Sequence, residues 1–203
     1  MEEVMKKRKQ TLLQRYVAIN NQACRSFEQR QFKKAEREIK RLFPLLRHED
    51  VVQLFWLAGD DAEIRTKQEN ISYLAGRLFC RLGEVYLAKH RLGRAMWYFK
   101  KALTMIPYST TDTTAGYEFA QSNIAAVYAL RGYPDRSMAI QAEIVTSILK
   151  KGVRSTWATT LLVRQYAISL VKQGCFDEAI TFILIADQLL ENWNLRYAPG
   201  CSI

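Results

Sequence analysis

Turn-forming residues are scarce in this chain, with only 9 Gly and 4 Pro among 203 residues. An all-β fold needs a turn signal roughly every 8 to 12 residues, which this supply does not meet. Histidine is scarcer still, at two, and neither His48 nor His90 stands in a context that places a nucleophile or a paired acid beside it. The four cysteines, Cys24, Cys80, Cys175 and Cys201, are far apart and form no C-x-x-C pair, so the spacing offers neither a zinc site nor a disulfide framework. There is no G-x-x-x-x-G-K-S/T loop and no G-x-G-x-x-G after a strand. Charge-free runs reach about a dozen residues, as in Phe119 to Leu130, short of the roughly 18 that a bilayer-spanning helix requires. Together these absences point away from an enzyme, a cofactor or metal, and a membrane span.

Apolar residues make up 49% of the chain, enough to bury a core in one domain or two small ones. The formal net charge is +10, and it is unevenly placed. Residues 1–47 hold 13 basic and 5 acidic side chains, whereas residues 48–203 hold 17 and 15. Lys6, Lys7, Arg8 and Lys9 form the densest run, a basic arm over 1–9 that would attract acidic partners at long range and weaken with salt. Met1-Glu2-Glu3-Val4 puts two acids ahead of that run and no cleavable apolar segment follows, so neither a secretory leader nor a mitochondrial presequence is expected and a cytoplasmic setting is. Cys201 is third from the end, where prenylation would need it fourth.

An internal repeat organises the rest. Aligning on a small residue five positions after a helix-ending residue pairs Arg30 with Ala35, His90 with Ala95, Gly132 with Ser137 and Gly174 with Ala179. The last three copies are 42 residues apart, while the first interval is 60. The best copy reads Phe79, Leu82, Gly83, Tyr86, Ala95, Phe99, Ala102 and Pro107. Small residues at these offsets let two antiparallel helices approach closely, and large ones fill the gaps between neighbouring pairs. The spacing predicts helix pairs at 10–29 with 32–47, 67–89 with 92–106, 114–131 with 134–150, and 155–173 with 176–194. Gly132-Tyr133-Pro134-Asp135 and Gly174-Cys175-Phe176-Asp177 supply turns, and Pro107 with the run Ser109 to Thr114 breaks the chain between the second and third pairs. The 18 extra residues fall near 48–66 and include Phe55 and Trp56, read either as an extra helix packed into the array or as an anchor for a partner.

This pattern resembles the tetratricopeptide repeat (TPR) over residues 10–194, and the long spacing resembles the kinesin-light-chain-like members of that superfamily. The resemblance implies an all-α, right-handed α-solenoid of about four antiparallel helix pairs, with a tail at 195–203. It also implies a non-catalytic adaptor or scaffold that takes a peptide on the concave face of its first-of-pair helices. There the face would carry Asn20, Asn21, Arg77, Arg81, Glu84, Ser122, Asn123, Arg164, Gln165 and Lys172. Amides can pair with a peptide backbone and arginines with carboxylates, so an acidic protein partner is expected. Cys24 and Arg81 stand where the chaperone-tail carboxylate clamp of related proteins has Asn, which disfavours a chaperone cofactor.

Long repeats of this type recur in cytoskeletal and ciliary assemblies, and the basic arm would suit an acidic microtubule surface, an expectation that rests on analogy and charge. The alternative is an RNA-associated helical-repeat subunit of a ribonucleoprotein, although few aromatics interleave with the basic arm for base stacking. Nothing after Asn194 reads as a polar capping helix, so self-association or work inside an assembly is also expected.

Overall fold

A computed structural model describes residues 2–47, 67–106, 116–151 and 157–197. Among these the protein is all-α with no strand, and its helices pack as consecutive antiparallel pairs. They are α1 (Glu2–Glu28) and α2 (Phe32–Leu42), α3 (Lys67–Ala88) and α4 (Leu92–Met105), α5 (Gly116–Leu130) and α6 (Pro134–Lys151), and α7 (Trp157–Lys172) and α8 (Phe176–Tyr197). The chain divides into two compact units, Met1–Pro107 and Tyr108–Ile203, each containing two pairs. The division falls in the segment that the sequence marked as a break.

The same joint closes the first helix of every pair. Arg30, His90, Gly132 and Gly174 all adopt the left-handed backbone conformation, at φ 57°, 54°, 83° and 80°. In each copy the next residue's N–H donates back to the carbonyl five residues earlier: Gln31 to Ser26, Arg91 to Tyr86, Tyr133 to Tyr128 and Cys175 to Leu170, at 2.8 to 3.0 Å. This is the Schellman closure, which satisfies carbonyls that the helix end would leave unpaired. Glycine enters that conformation freely, whereas Arg30 and His90 enter it at a cost of about 1 kcal/mol each.

Five residues beyond each joint the small side chain is buried, with Ala35, Ala95 and Ala179 at most 1% exposed and Ser137 also inside. In the second pair the contact is closer still. Phe99 is fully buried with its ring against Gly83, and Ile106 lies against Gly76; a Cβ on either glycine would overlap those side chains. The Leu82-Gly83 dipeptide therefore serves packing: leucine fills the core and glycine opens the space for an aromatic ring.

In the first unit, Ile39, Leu42 and Leu46 share one core with Leu74, Leu78 and Leu82 of α3, so the first pair is sealed by the helix that opens the second. In the second unit, Ile144 and Ile148 of α6 meet Leu162 of α7, while Val163, Tyr166 and Leu170 join Ala179 and Ala186. A single pair buries only one side of itself, which is why the pairs occur stacked.

Three boundaries differ from the sequence reading by more than two residues. The first helix starts at Glu2 instead of residue 10, so the backbone of Lys6 to Lys9 belongs to α1 and not to a separate arm. The second helix stops at Leu42 and continues as a 3-10 turn, Phe43–Arg47; Pro44 has no N–H to donate and disfavours a regular α-turn around it. The last helix runs to Tyr197, past the expected end at residue 194.

Candidate functional site

The opening helices of the pairs carry the residues expected to bind, and each unit presents its own set. In the first unit, the guanidinium of Arg81 on α3 donates to the side-chain oxygen of Asn20 on α1. In the second unit, the hydroxyl of Ser122 on α5 donates to the side-chain oxygen of Gln165 on α7 at 2.8 Å. Asn20 and Ser122 both lie fifteen positions before the small residue of their repeat, and Arg81 and Gln165 both lie fourteen before theirs. The same two repeat positions thus tie adjacent opening helices together in both units. Of the predicted residues, these four are occupied in cross-helix bonds.

The others stand around them. Asn21, Arg77, Arg164 and Lys172 are exposed, and Glu84 and Asn123 are half-buried, with Asn123 donating to the Phe119 carbonyl at 3.2 Å. Beside Arg81 and Glu84 lies an open cleft of about 210 Å³, lined also by Cys24, Phe27, Glu28 and Ile39. Its wall alternates apolar and charged groups, a surface suited to a short peptide segment. On α7, Ile168 is exposed, and Leu130 is exposed at the end of α5, so the second unit offers apolar side chains near its amides. Leu130 was not anticipated. Its signal is a large apolar residue at a position that holds Glu28, Ala88 or Lys172 in the other copies.

A second constellation was also missed. Glu36 on α2 accepts from Lys40 at 2.8 Å, from the Tyr86 hydroxyl of α3 at 2.7 Å and from Lys89, just past the end of α3, at 2.7 Å. Burial pushes its carboxyl pKa up, but the bonds from Lys40, Lys89 and Tyr86 outweigh that and hold it down at about 2. Tyr86 stacks on Tyr98 with ring centres 5.2 Å apart and receives the cationic ends of Lys89 and Arg94 on its faces. The group bridges α2 and α3, and its work is to lock one onto the other. Only the spatial fold joins residues fifty positions apart, so sequence spacing gave no sign of it.

Cys80 is buried, and burial, with a smaller contribution from Glu84, pushes its thiol pKa up to about 12. Burial likewise raises the hydroxyl pKa of Tyr16, against the opposing pull of Arg81 and Arg77. Among the described residues no three His, Cys, Asp or Glu side chains gather to hold a metal ion, and no helix is long and apolar enough to cross a membrane. Phe55 and Trp56 lie outside the described residues, as do the side chains of Lys6, Lys7, Arg8 and Lys9.

No protein-family profile matches the chain, and no curated protein sequence matches it. Solved structures do resemble it. BtubC (BKLC) from P. vanneervenii aligns with 89% of this chain and 74% of its own at 13% identity and a TM-score of 0.50. The MamA protein aligns with 95% of this chain and 98% of its own at 14% identity and a TM-score of 0.44. At these identities the likeness concerns fold alone. With the paired helices and the four repeated joints, the architecture is an all-α array of repeated helix pairs.

Proposed function

We propose that this protein is a non-catalytic adaptor that binds other proteins through the opening-helix faces of its repeats. The observation that carries this reading is the repeated placement of polar side chains there. Asn20 with Arg81 and Ser122 with Gln165 are already fixed by cross-helix bonds, while Asn21, Arg77, Arg164 and Lys172 remain exposed beside them. Side chains held in place lose little further freedom on binding, which favours recognition of an extended segment. The exposed cations on both units favour a segment rich in Asp and Glu.

Within this reading, the 42-residue spacing supports a kinesin-light-chain-like subtype, and the basic start of the chain supports a filament or ciliary assembly as its setting. The test is a crosslinked pull-down from native extract, with and without nuclease, comparing the intact chain with Arg77→Glu/Arg164→Glu and with Lys6, Lys7, Arg8 and Lys9 all changed to Gln. Protein partners that survive nuclease and fade in the Arg77/Arg164 variant are the expected result. Loss of every partner on nuclease treatment would overturn the reading in favour of RNA binding, and partners indifferent to the Arg77/Arg164 changes would remove the helix faces from it. Tubulin or another filament protein lost only from the Gln variant would support the cytoskeletal setting.

A further inference from the structure

The pair α7–α8 exposes an apolar side that, in the first and third pairs, is covered by the next opening helix. Phe176, Ile180, Ile183 and Leu184 on α8, with Ile168 and Val171 on α7, are each between 42 and 65% exposed. On α8 they recur at i, i+4, i+7 and i+8, one stripe of a helix. A contiguous exposed patch of large apolar residues on this scale marks an interaction surface.

The repeat register says what kind of object such a side accepts. Forty-two residues earlier, Ile180, Leu184 and Asp187 correspond to Met138, Ala142 and Val145 of α6, which pack into the core formed with α7. In the first unit the corresponding residues are Glu36, Lys40 and Phe43. There Glu36 bonds to Tyr86 of α3 and to Lys89 just past its end, and Phe43 rests on Phe79 with ring centres 4.9 Å apart. On α7, Arg164 corresponds to Ser122 of α5, the residue that reaches across to α7. In both units this side of a pair receives one helix, which lies antiparallel to the second helix of the pair. That helix presents leucines or aromatics at i, i+4 and i+8, such as Leu74, Leu78 and Leu82.

The chemistry of the stripe changes along α8. Its first turns are apolar, but continuing the same stripe leads to Asp187 and Glu191, both exposed. An antiparallel occupant would pass these two carboxylates with its first half, where its own positive dipole end already favours them. We propose that the exposed side of α7–α8 seats an amphipathic helix from a partner protein, apolar at i, i+4 and i+8 and carrying Lys or Arg in its first two turns.

A second copy of this chain fits less well. The side of α1 that matches the covering side of α3, sixty residues earlier, consists of exposed Gln14 and Ala18, half-buried Gln22 and exposed Arg25, so head-to-tail stacking would press amides and a guanidinium onto the apolar stripe. A two-fold contact centred on Ile183 and Leu184 would set Asp187 and Glu191 against the partner's Ile180 and Phe176, leaving carboxylates desolvated without a cation.

The test uses the full chain and a designed 20-residue helical peptide with Leu at i, i+4 and i+8 and two Lys in its first two turns, compared with the same peptide bearing Glu in place of Lys. Titration calorimetry should show micromolar binding of the Lys peptide, at least ten-fold weaker binding of the Glu peptide, and the reverse preference in Asp187→Lys/Glu191→Lys. Leu184→Asp should weaken the Lys peptide at least ten-fold with circular dichroism and melting unchanged. Arg77→Glu should leave this binding intact, which separates the seat from the opening-helix faces. Equal binding of both peptides, binding of neither, or a concentration-dependent dimer in sedimentation that Leu184→Asp abolishes would each overturn the proposal, the last in favour of a second copy.

Discussion

Replacing Glu36 by Gln removes one charge from the lock between α2 and α3 while keeping its size and its ability to accept from Tyr86. Holding a carboxyl pKa at about 2 instead of 4.5 corresponds to about 3 kcal/mol if the whole shift reported on folding. Water reaches this site: the Lys40 side chain is 52% exposed, and Glu36 and Lys89 are each 18% exposed. Screening reduces the expected contribution to about 1–2 kcal/mol. The sign follows from linkage. Because the folded state binds the proton more weakly, the stabilisation is fully present above pH 4.5 and is lost as pH falls toward 2. The bond to Glu36 also raises the Lys40 pKa, so its share persists below pH 10.5 and is lost as the amine deprotonates above that; it belongs to the same ion pair and adds nothing further. Urea unfolding at pH 7 should show Glu36→Gln less stable than the parent by about 1–2 kcal/mol, with the gap closing as pH approaches 2. Equal stability at pH 7, or a gap that persists unchanged at pH 2, would refute the assignment of charge-assisted bonding to this group. Lys89→Met in a double-mutant cycle should couple to Glu36→Gln, since the two share one bond at 2.7 Å.

Further outcomes follow from the joints and the core. Arg30→Gly and His90→Gly should each raise stability by about 0.5–1 kcal/mol in urea unfolding, since glycine relieves the left-handed strain; a loss of stability would mean that these side chains hold contacts outweighing the backbone term. Gly83→Ala should destabilise by about 1–3 kcal/mol through overlap with Phe99, and the same substitution with Phe99→Leu should recover part of that in a thermal melt. Under native conditions a maleimide reagent should label exposed Cys175 and half-buried Cys24 well before buried Cys80; fast labelling of Cys80 would indicate local opening of the first unit.

The parts of the fold that follow from local chemistry were legible in the sequence. A left-handed joint five residues before a buried small side chain is a fixed geometric unit, so Gly132 and Gly174 revealed it, and the same spacing extended it to Arg30 and His90, where composition alone would not. The helix ends that were misplaced are those decided by weaker or longer-range effects. The start of α1 has no capping signal to mark it, and Pro44 tightens a turn without ending the apolar pattern. Site residues were legible only as a class of position. Register placed Asn20, Arg81, Ser122 and Gln165 on the opening helices, but it could not show that they bond to one another, because side-chain reach is not encoded in a spacing. The lock at Glu36 needs Tyr86 and Lys89 from half the first unit away, and no local pattern announces it.

Comparing the three polar arrangements separates residues that hold the repeats together from residues that remain free to act. Glu36 ties α2 to Tyr86 and Lys89, Asn20 accepts from the next opening helix and Ser122 donates to the one after its own, so substitutions there should lower stability before they alter binding. Arg77, Arg164 and Lys172 are exposed on the same helices, and the stripe from Phe176 to Leu184 is exposed on the last one, so substitutions there should alter binding with little effect on melting. The two surfaces differ in chemistry as well: cations and amides on the opening helices suit an acidic segment, whereas the apolar and then acidic stripe of α8 suits a helix with a basic start. A protein carrying both would join two unlike partners rather than two copies of one. The decisive comparison is whether an acidic peptide and the Lys-bearing helix bind the same chain together. Simultaneous binding with unchanged affinities would establish two independent surfaces, while mutual exclusion would reduce them to one.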